Sequence, residues 1–271
     1  LAAHEMANTS PGEVVRRMRA GPYAETFVHL YGQILDDAPQ AFAAMVRALA
    51  AYQRESTEFH PFDSLYDAYL SGKATLTPAE ARGLALFNNP AKGNCMACHP
   101  SALGENGELP LFTDFTYDNL GVPRNPHIAA NADPAHYDLG LCDAPMTALR
   151  EREDRAKLCG AFKVPTLRNV ALRKVFFHNG VFTDLRDVLR FYVQRDTHPE
   201  RWYPRKADGS LDIYNDLPSD LRGNINTSEP PYDRQPGMEP ALNEAEIDDL
   251  LAFLQTLNDG YRPPRQHGMR D

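Results

Sequence analysis

The sequence predicts a mostly α-helical fold with long irregular loops and little β-structure. Apolar residues recur at helical spacing in four stretches, which are residues 11–53, 76–87, 180–194 and 243–257. Residues 100–162 and 199–240 are instead rich in Gly, Pro, Asn and Asp, a composition typical of loops. No run of alternating polar and apolar residues is long enough to predict a strand.

Two of the predicted helices have complete start signals. Thr77 is a favourable N-cap, Pro78 suits the first helical position, and Glu80 completes a capping box. Asn243 and Glu246 form the same arrangement ahead of the last helix. These signals indicate where both helices begin.

Length and charge limit the classes of function. The 271 residues suffice for one large domain or two ordinary ones, and 42% of them are hydrophobic. The net charge of −9, dispersed along the chain, disfavours binding to nucleic acid or to an anionic membrane. No apolar run approaches the roughly 20 residues of a membrane span. Because the chain starts at Leu1 rather than Met, we interpret its start as processed or truncated.

The pentapeptide Cys95-Met96-Ala97-Cys98-His99 is the most specific motif. Cys-x-x-Cys-His is the attachment signature of c-type haem. Two intervening residues let both thiols reach the vinyl groups on one porphyrin edge, and the histidine then lies beneath the iron as an axial ligand. The sequence therefore predicts a cytochrome c-like haem domain with one covalent haem c, attached through Cys95 and Cys98 and ligated by His99.

Two other interpretations of the Cys-x-x-Cys pair are weaker. A zinc site needs two further ligands at matching spacing, and Cys142 and Cys159 do not supply that pattern. A thioredoxin-like pair would lie in a βαβ unit, which the sequence does not predict.

Cys142 and Cys159 are then available to form a disulfide with each other, with two free buried thiols as the alternative. Closing a loop of this length would contribute about 3 kcal/mol in the chain-entropy model. Covalent haem and a disulfide both indicate an oxidising compartment, which in a bacterium is the periplasm.

Further motifs flank the pentapeptide in a fixed order. Before it come Leu76-Thr77-Pro78 and the segment Gly83 to Phe87, and after it come Phe112-Thr113-Asp114, Asn119-Leu120-Gly121, the segment Lys163 to Asn169, Phe177-His178-Asn179-Gly180 and a closing helix. Together they resemble the C-terminal haem domain of the bacterial dihaem cytochrome c peroxidase and MauG family. The resemblance covers nearly the whole chain.

The resemblance implies two parts. Residues 1–75 would be the remainder of an N-terminal cytochrome c domain without its haem motif, and residues 76–271 the C-terminal haem domain. In this family the N-terminal haem reacts with hydrogen peroxide, and the C-terminal haem is a six-coordinate electron-transfer centre. The segment around Glu5 resembles the one whose glutamate assists O–O cleavage, which implies a general acid/base; an exposed glutamate near a terminus is the alternative.

The resemblance also implies the sixth haem ligand. The family has methionine or, in MauG-like proteins, tyrosine on the helix after the His-x-Gly motif, and that position here is Tyr192. It shares the apolar helix face of Leu185, Val188 and Leu189. Such a phenolate ligand lowers the reduction potential; the alternative is a core aromatic residue. Other candidates in loops are Met146, Met238 and His127.

Two further residues are implied near the haem. His178 would lie at the haem edge or the interdomain contact, unless it is a buried, satisfied histidine. Arg168 would pair with a haem propionate, unless it is a surface arginine. Calcium stays open, because Arg173-Lys174-Val175 replaces the usual calcium-binding stretch with two cations.

One feature of MauG is missing from the sequence. MauG has a tryptophan just before its second haem motif, and the corresponding residue here is Gly93. The single tryptophan, Trp202, lies in the late loop. Hole hopping by the MauG route is therefore not predicted.

The function implied is a haem c oxidoreductase of the dihaem peroxidase/MauG type. It would use hydrogen peroxide, with electrons from a small redox protein or a protein substrate relayed through the C-terminal haem. The first haem would come from a missing segment or a partner chain. The alternative is a non-enzymatic monohaem electron-transfer cytochrome c, and the less favoured third is a haem oxygenase of the rubber-degrading type.

Overall fold

A computed structural model describes residues 8–143, 149 and 151–263, in two compact units that divide between Pro61 and Phe62. The described part of the chain is mostly helical, as predicted. Its α-helices are α1 Pro11–Ala20, α2 Ala24–Tyr31, α3 Ala38–Glu55, α4 Leu65–Leu70, α5 Pro78–Asn88, α6 Leu185–Gln194 and α7 Glu244–Gln255. Its two strands, β1 Tyr117–Asp118 and β2 Phe162–Lys163, pair antiparallel with Tyr117 opposite Lys163.

The first unit contains α1, α2 and α3. The sequence predicted one helical stretch over 11–53, and the structure interrupts it at Gly21, which ends α1, and at Gly32, whose φ of 80° follows α2. Glycine adopts this left-handed φ without steric cost, so it ends a helix readily. A small core joins the helices, and its buried members are Val15, Phe27, Ala41, Ala44 and Met45.

The boundary between the units differs from the predicted one after residue 75. Helix α4 packs with the second unit, because the backbone N–H of Tyr66 donates to the Thr256 carbonyl at 3.0 Å. The Tyr66 ring also lies 5.2 Å from the ring of Phe253. Residues 62–75 therefore share the core of the second unit.

The second unit is built on a close crossing of α5 and α7. A Cβ at Gly83 would lie 2.0 Å from the backbone oxygen of Asp249, so only glycine permits this approach. Both helices begin as predicted, with the capping boxes of Thr77 and Glu80 and of Asn243 and Glu246 present. The core of this unit includes the fully buried side chains of Phe87, Phe112, Ile247, Leu250 and Phe253.

Helix α6 and the loops complete the second unit. Asp184 caps α6, which therefore begins later than the predicted residue 180. The predicted disulfide between Cys142 and Cys159 is present. Within the described ranges, no helix has the length and apolarity required to cross a membrane.

Candidate haem-binding site

The Cys-x-x-Cys-His segment forms a tight turn directly after α5. Asn94 adopts a left-handed conformation, a short 3₁₀-helix runs over Cys95–Ala97, and the His99 N–H donates to the Cys95 carbonyl at 2.9 Å. Burial raises the pKa of Cys95 to about 12 and that of Cys98 to about 11. Both thiols are therefore protonated at neutral pH, and they are not joined to each other. The turn presents both sulfurs to one cavity.

The imidazole of His99 has a fixed orientation. Its Nδ1 lies 2.7 Å from the backbone oxygen of Phe112, which can only accept a hydrogen bond. Nδ1 is therefore the protonated nitrogen, and Nε2 is left with a free lone pair. Burial lowers the pKa of His99, which favours the neutral imidazole that binds metals.

The cavity beside this turn has a volume of about 570 Å³, within the range of pockets for cofactors. Cys95, Cys98 and His99 lie along it, and its walls come from α5, α6, α7 and several loop segments. Most of the lining is apolar, including Phe87, Val164, Leu189, Val193, Leu242 and Leu254. An apolar cleft with two thiols and an oriented imidazole fits a covalently attached haem.

Tyr192 lines the same cavity, as the helical spacing predicts. Its position follows from α6, which buries Val188 and Leu189 on the face that Tyr192 shares. Its ring contacts that of Phe177 at 5.7 Å, and burial raises the pKa of its phenol. Ligation of the iron by this phenol was an expectation from the resemblance and stays a prediction.

His178 also lines the cavity. Its Nε2 lies 3.1 Å from Oδ2 of Asp216, and its ring stacks on Phe162 with the ring centroids 3.6 Å apart. The Asn179 amide donates to the same Asp216 oxygen at 2.9 Å. His178 therefore lines the cavity and also has a hydrogen-bond partner. Its expected position at the haem edge stays a prediction.

Arg168 does not line the cavity. Its guanidinium is directed away from the cavity and donates to both carboxylate oxygens of Asp67, at 2.9 and 3.0 Å, and to the Pro110 carbonyl at 3.0 Å. It also lies 4.0 Å over the ring of Phe62. All three guanidinium nitrogens have partners inside the protein, so Arg168 joins α4 to the segment before Phe112. Its expected contact with a propionate stays a prediction.

The basic side chains that line the cavity, apart from His99, are Lys163, Arg173 and His178. Lys163 and Arg173 were missed as candidates for haem contact because they lie in loops, where no periodic pattern indicates which way a side chain faces. Tyr232 was missed for the same reason, although it follows the cis peptide of Pro230 and Pro231 and lines the cavity.

The remaining predicted residues lie elsewhere. Met238 and His127 are exposed and do not line the cavity, while Met146 and Glu5 lie outside the described residues. A Cβ at Gly93 would meet the sulfur of Cys95 at 3.0 Å, so the turn favours a residue without a side chain there.

The calcium prediction has no further support. Arg173 and Lys174 are both exposed. Among the residues that the structure describes, no group of three His, Cys, Asp or Glu side chains is arranged to hold a metal ion. Calcium remains a prediction.

Comparison with known proteins gives consistent relatives. The family model for di-haem cytochrome c peroxidase matches residues 1–75. The methylamine utilization protein MauG of Paracoccus denitrificans (strain Pd 1222) is 36% identical over 262 residues, covering 94% of this chain and 62% of that protein. A cytochrome-c peroxidase of Pseudomonas sp. (strain SCT) is 31% identical over 202 residues, covering 68% of this chain and 48% of that protein.

Solved structures agree with these relatives. The diheme peroxidase BthA from Burkholderia thailandensis E264 matches with a TM-score of 0.85 and 42% identity, covering 95% of this chain and 61% of that chain. A MauG-like protein associated with microbial copper homeostasis matches with a TM-score of 0.54 and 28% identity, covering 92% of this chain and 62% of that chain. The chain thus spans less than two thirds of the length of these relatives.

Proposed function

Because the chain belongs to the dihaem cytochrome c peroxidase and MauG family, we propose that it carries the electron-relaying haem of a peroxide-using oxidoreductase. The observation that carries the proposal is the cavity, in which Cys95, Cys98, His99 and Tyr192 meet. One covalent haem c is proposed for this chain. Bound there, haem c supplies a centre that accepts and donates single electrons.

Each residue of the cavity has a proposed task. The thiols of Cys95 and Cys98 would form thioethers with the vinyl groups of the haem. The Nε2 atom of His99 would bind the iron, since Nδ1 is engaged by Phe112. Tyr192 would supply an oxygen ligand, which would favour the oxidised state of the centre. A haem held by both residues would relay electrons rather than bind peroxide.

Lys163, Arg173 and His178 are proposed to face the haem propionates. Lys163 and Arg173 line the cavity and are exposed, so a carboxylate beside either one would reach both protein and solvent. His178 is held in place by Asp216 and by the Phe162 ring. These three residues take the role that the sequence had assigned to Arg168.

The whole reaction needs groups beyond this haem. Hydrogen peroxide would be reduced to two water molecules, consuming two electrons and two protons, at a second haem on a further segment or a partner chain. Glu5 is the proposed proton-transfer residue there. A small redox protein or a protein substrate would donate the electrons, in the periplasm.

Substitution of Tyr192 tests the ligand assignment. In the haem-loaded protein, Tyr192→Phe should change the absorption and electron paramagnetic resonance spectra of the ferric haem, because an oxygen ligand is lost. Phe177→Leu is the matched control, since it alters a neighbouring ring at the cavity without removing an oxygen. An unchanged ferric spectrum for Tyr192→Phe would exclude the phenol as a ligand.

Haem counting and peroxide turnover test the function itself. Native protein is purified with any partner chain, its haems are counted by mass spectrometry, and peroxide consumption is measured with a reduced c-type cytochrome as donor. We expect turnover that requires both haems. A single haem with a reversible one-electron couple and no peroxide consumption would favour the alternative, a simple electron-transfer cytochrome.

A further inference from the structure

A second phenol lies beside Tyr192. The ring of Tyr232 is 6.0 Å from that of Tyr192, the two planes are inclined by 33°, and both side chains line the cavity. Tyr232 is 7% exposed. Neither hydroxyl has a hydrogen-bond partner among the described residues. Because a buried phenol usually finds a partner, two neighbouring phenols without one indicate an arrangement completed only when the cavity is filled.

A buried cation lies behind Tyr232. The side chain of Arg195 has no solvent exposure, and its guanidinium carbon is 4.5 Å from the centre of the Tyr232 ring. It donates to the backbone oxygens of Leu120 and Asn226, at 2.9 and 2.7 Å, and pairs with Asp196 at 2.8 Å. A cation with this many partners holds one position, which fixes the ring stacked on it.

The positive charge of Arg195 over the Tyr232 ring affects the proposed ligand, Tyr192. An oxygen of Tyr192 bound to iron accepts hydrogen bonds, and a donor in its second shell withdraws electron density from the ligand. The Arg195 guanidinium over the Tyr232 ring polarises the phenolic O–H of Tyr232, which makes that O–H a stronger hydrogen-bond donor. The row from Arg195 through the Tyr232 ring to the Tyr192 ring thus ends at the residue proposed as the ligand.

We propose that Tyr232 donates a hydrogen bond to the phenolic oxygen of Tyr192 in the haem-loaded protein, and that Arg195 holds Tyr232 in position. The pair thereby weakens Tyr192 as an electron donor to the iron and raises the reduction potential of the centre. This inference rests on the proposed role of Tyr192 as a ligand. Tyr232 and Arg195 are positioning residues, since both act through Tyr192.

Tyr232→Phe tests the inference, because it removes the hydroxyl and keeps the ring. At a fixed potential, set with a redox mediator, the ratio of reduced to oxidised haem should fall about tenfold, the size expected for the loss of one hydrogen bond to a charged group. The iron–oxygen stretch in the resonance Raman spectrum should also lose its sensitivity to D₂O.

Tyr214→Phe is the matched control. Its ring also lies over Arg195, at 5.4 Å, but its hydroxyl donates to Asp196 and it has no ring contact with Tyr192. We expect this variant to keep the potential and the D₂O sensitivity of the unsubstituted protein. A shift equal to that of Tyr232→Phe would overturn the specific role of Tyr232.

Two further variants separate the inference from the proposed function. The double variant Tyr192→Phe/Tyr232→Phe should have the potential of Tyr192→Phe alone, because the effect passes through Tyr192; additive shifts would overturn the inference. Arg195→Lys should shift the potential in the same direction as Tyr232→Phe, and if it fails to fold, Tyr232→Phe decides alone.

If Tyr192→Phe alters the spectrum while Tyr232→Phe leaves the potential unchanged, only the inference fails. If Tyr192→Phe leaves the spectrum unchanged, the ligand assignment fails as well.

Discussion

The two walls of the cavity are built in different ways. The first wall, with Cys95, Cys98 and His99, comes from one turn of five residues. The second wall is assembled from α6 and from loop segments around residues 118–122, 214–217 and 229–232. We propose that the first wall attaches the haem and supplies one ligand. We propose that Tyr192 and Tyr232 of the second wall set the potential. In this proposal, the residues that attach the haem are neighbours in sequence, whereas the residues that tune its potential come together only in the tertiary structure.

Both walls nevertheless depend on a buried arginine. Behind the first wall, Arg168 pairs with Asp67 and donates to the Pro110 carbonyl. Behind the second, Arg195 pairs with Asp196 and donates to two loop carbonyls. Arginine suits this position because five donors on one rigid plane can join several segments at once. The comparison therefore predicts that each wall responds to its own set of substitutions.

The largest expected effect concerns attachment at the first wall. The double variant Cys95→Ala/Cys98→Ala should lose all covalent haem, because no thiol remains to form a thioether. Mass spectrometry of denatured protein should find the unmodified polypeptide mass. Haem that remains bound after acid–acetone extraction would contradict the assignment.

The other two cysteines provide the control. Cys142→Ala/Cys159→Ala removes the disulfide and leaves the Cys-x-x-Cys-His turn intact. This variant should keep one covalent haem per chain. The two double variants together separate the role of each cysteine pair.

A smaller effect is expected from Arg168→Met. Removing the guanidinium leaves the carboxylate of Asp67 buried without its charge partner, which should lower the free energy of unfolding by about 3–5 kcal/mol. Because Arg168 also fixes Pro110, near the Phe112 carbonyl that orients His99, the spectrum at the first wall should change too. Denaturant unfolding and the ferric absorption spectrum measure the two effects.

Two variants serve as controls for Arg168→Met. Adding Asp67→Asn removes the unpaired charge and should restore part of the lost stability. Arg82→Met breaks the exposed pair with Asp249 and should have a much smaller effect. If Arg168→Met and Arg82→Met lowered the free energy of unfolding equally, burial of the Asp67 pair would not explain the effect of Arg168→Met.

The sequence predicted the first wall more fully than the second. The cysteines, His99 and the capping boxes are visible in sequence because each depends on residues within a few positions of one another. Tyr192 was visible because helical periodicity indicates which face is buried. Tyr232 was not, because the course of its loop is set by partners distant in the chain, such as Arg195.

Arg168 shows the same limit of prediction from neighbouring residues. Its neighbours in sequence resemble a haem-domain motif, but its partner Asp67 lies about a hundred residues earlier in the chain. Nothing local indicates that pairing. The compact units divide before residue 75 for a related reason, since α4 belongs to the second unit through long-range contacts of Tyr66.

The smallest expected effect concerns Tyr203, which supports the second wall. The hydroxyl of Tyr203 donates to the Gly121 carbonyl at 2.5 Å and so holds a segment that lines the cavity. Tyr203→Phe should lower the free energy of unfolding by about 1–3 kcal/mol, because a buried carbonyl loses its donor. Tyr69→Phe, at a partly exposed tyrosine of α4, is the matched control and should leave the denaturation midpoint unchanged. If Tyr203→Phe instead released the haem or altered His99, the two walls would not be separable, and the division between local attachment and tertiary tuning would fail.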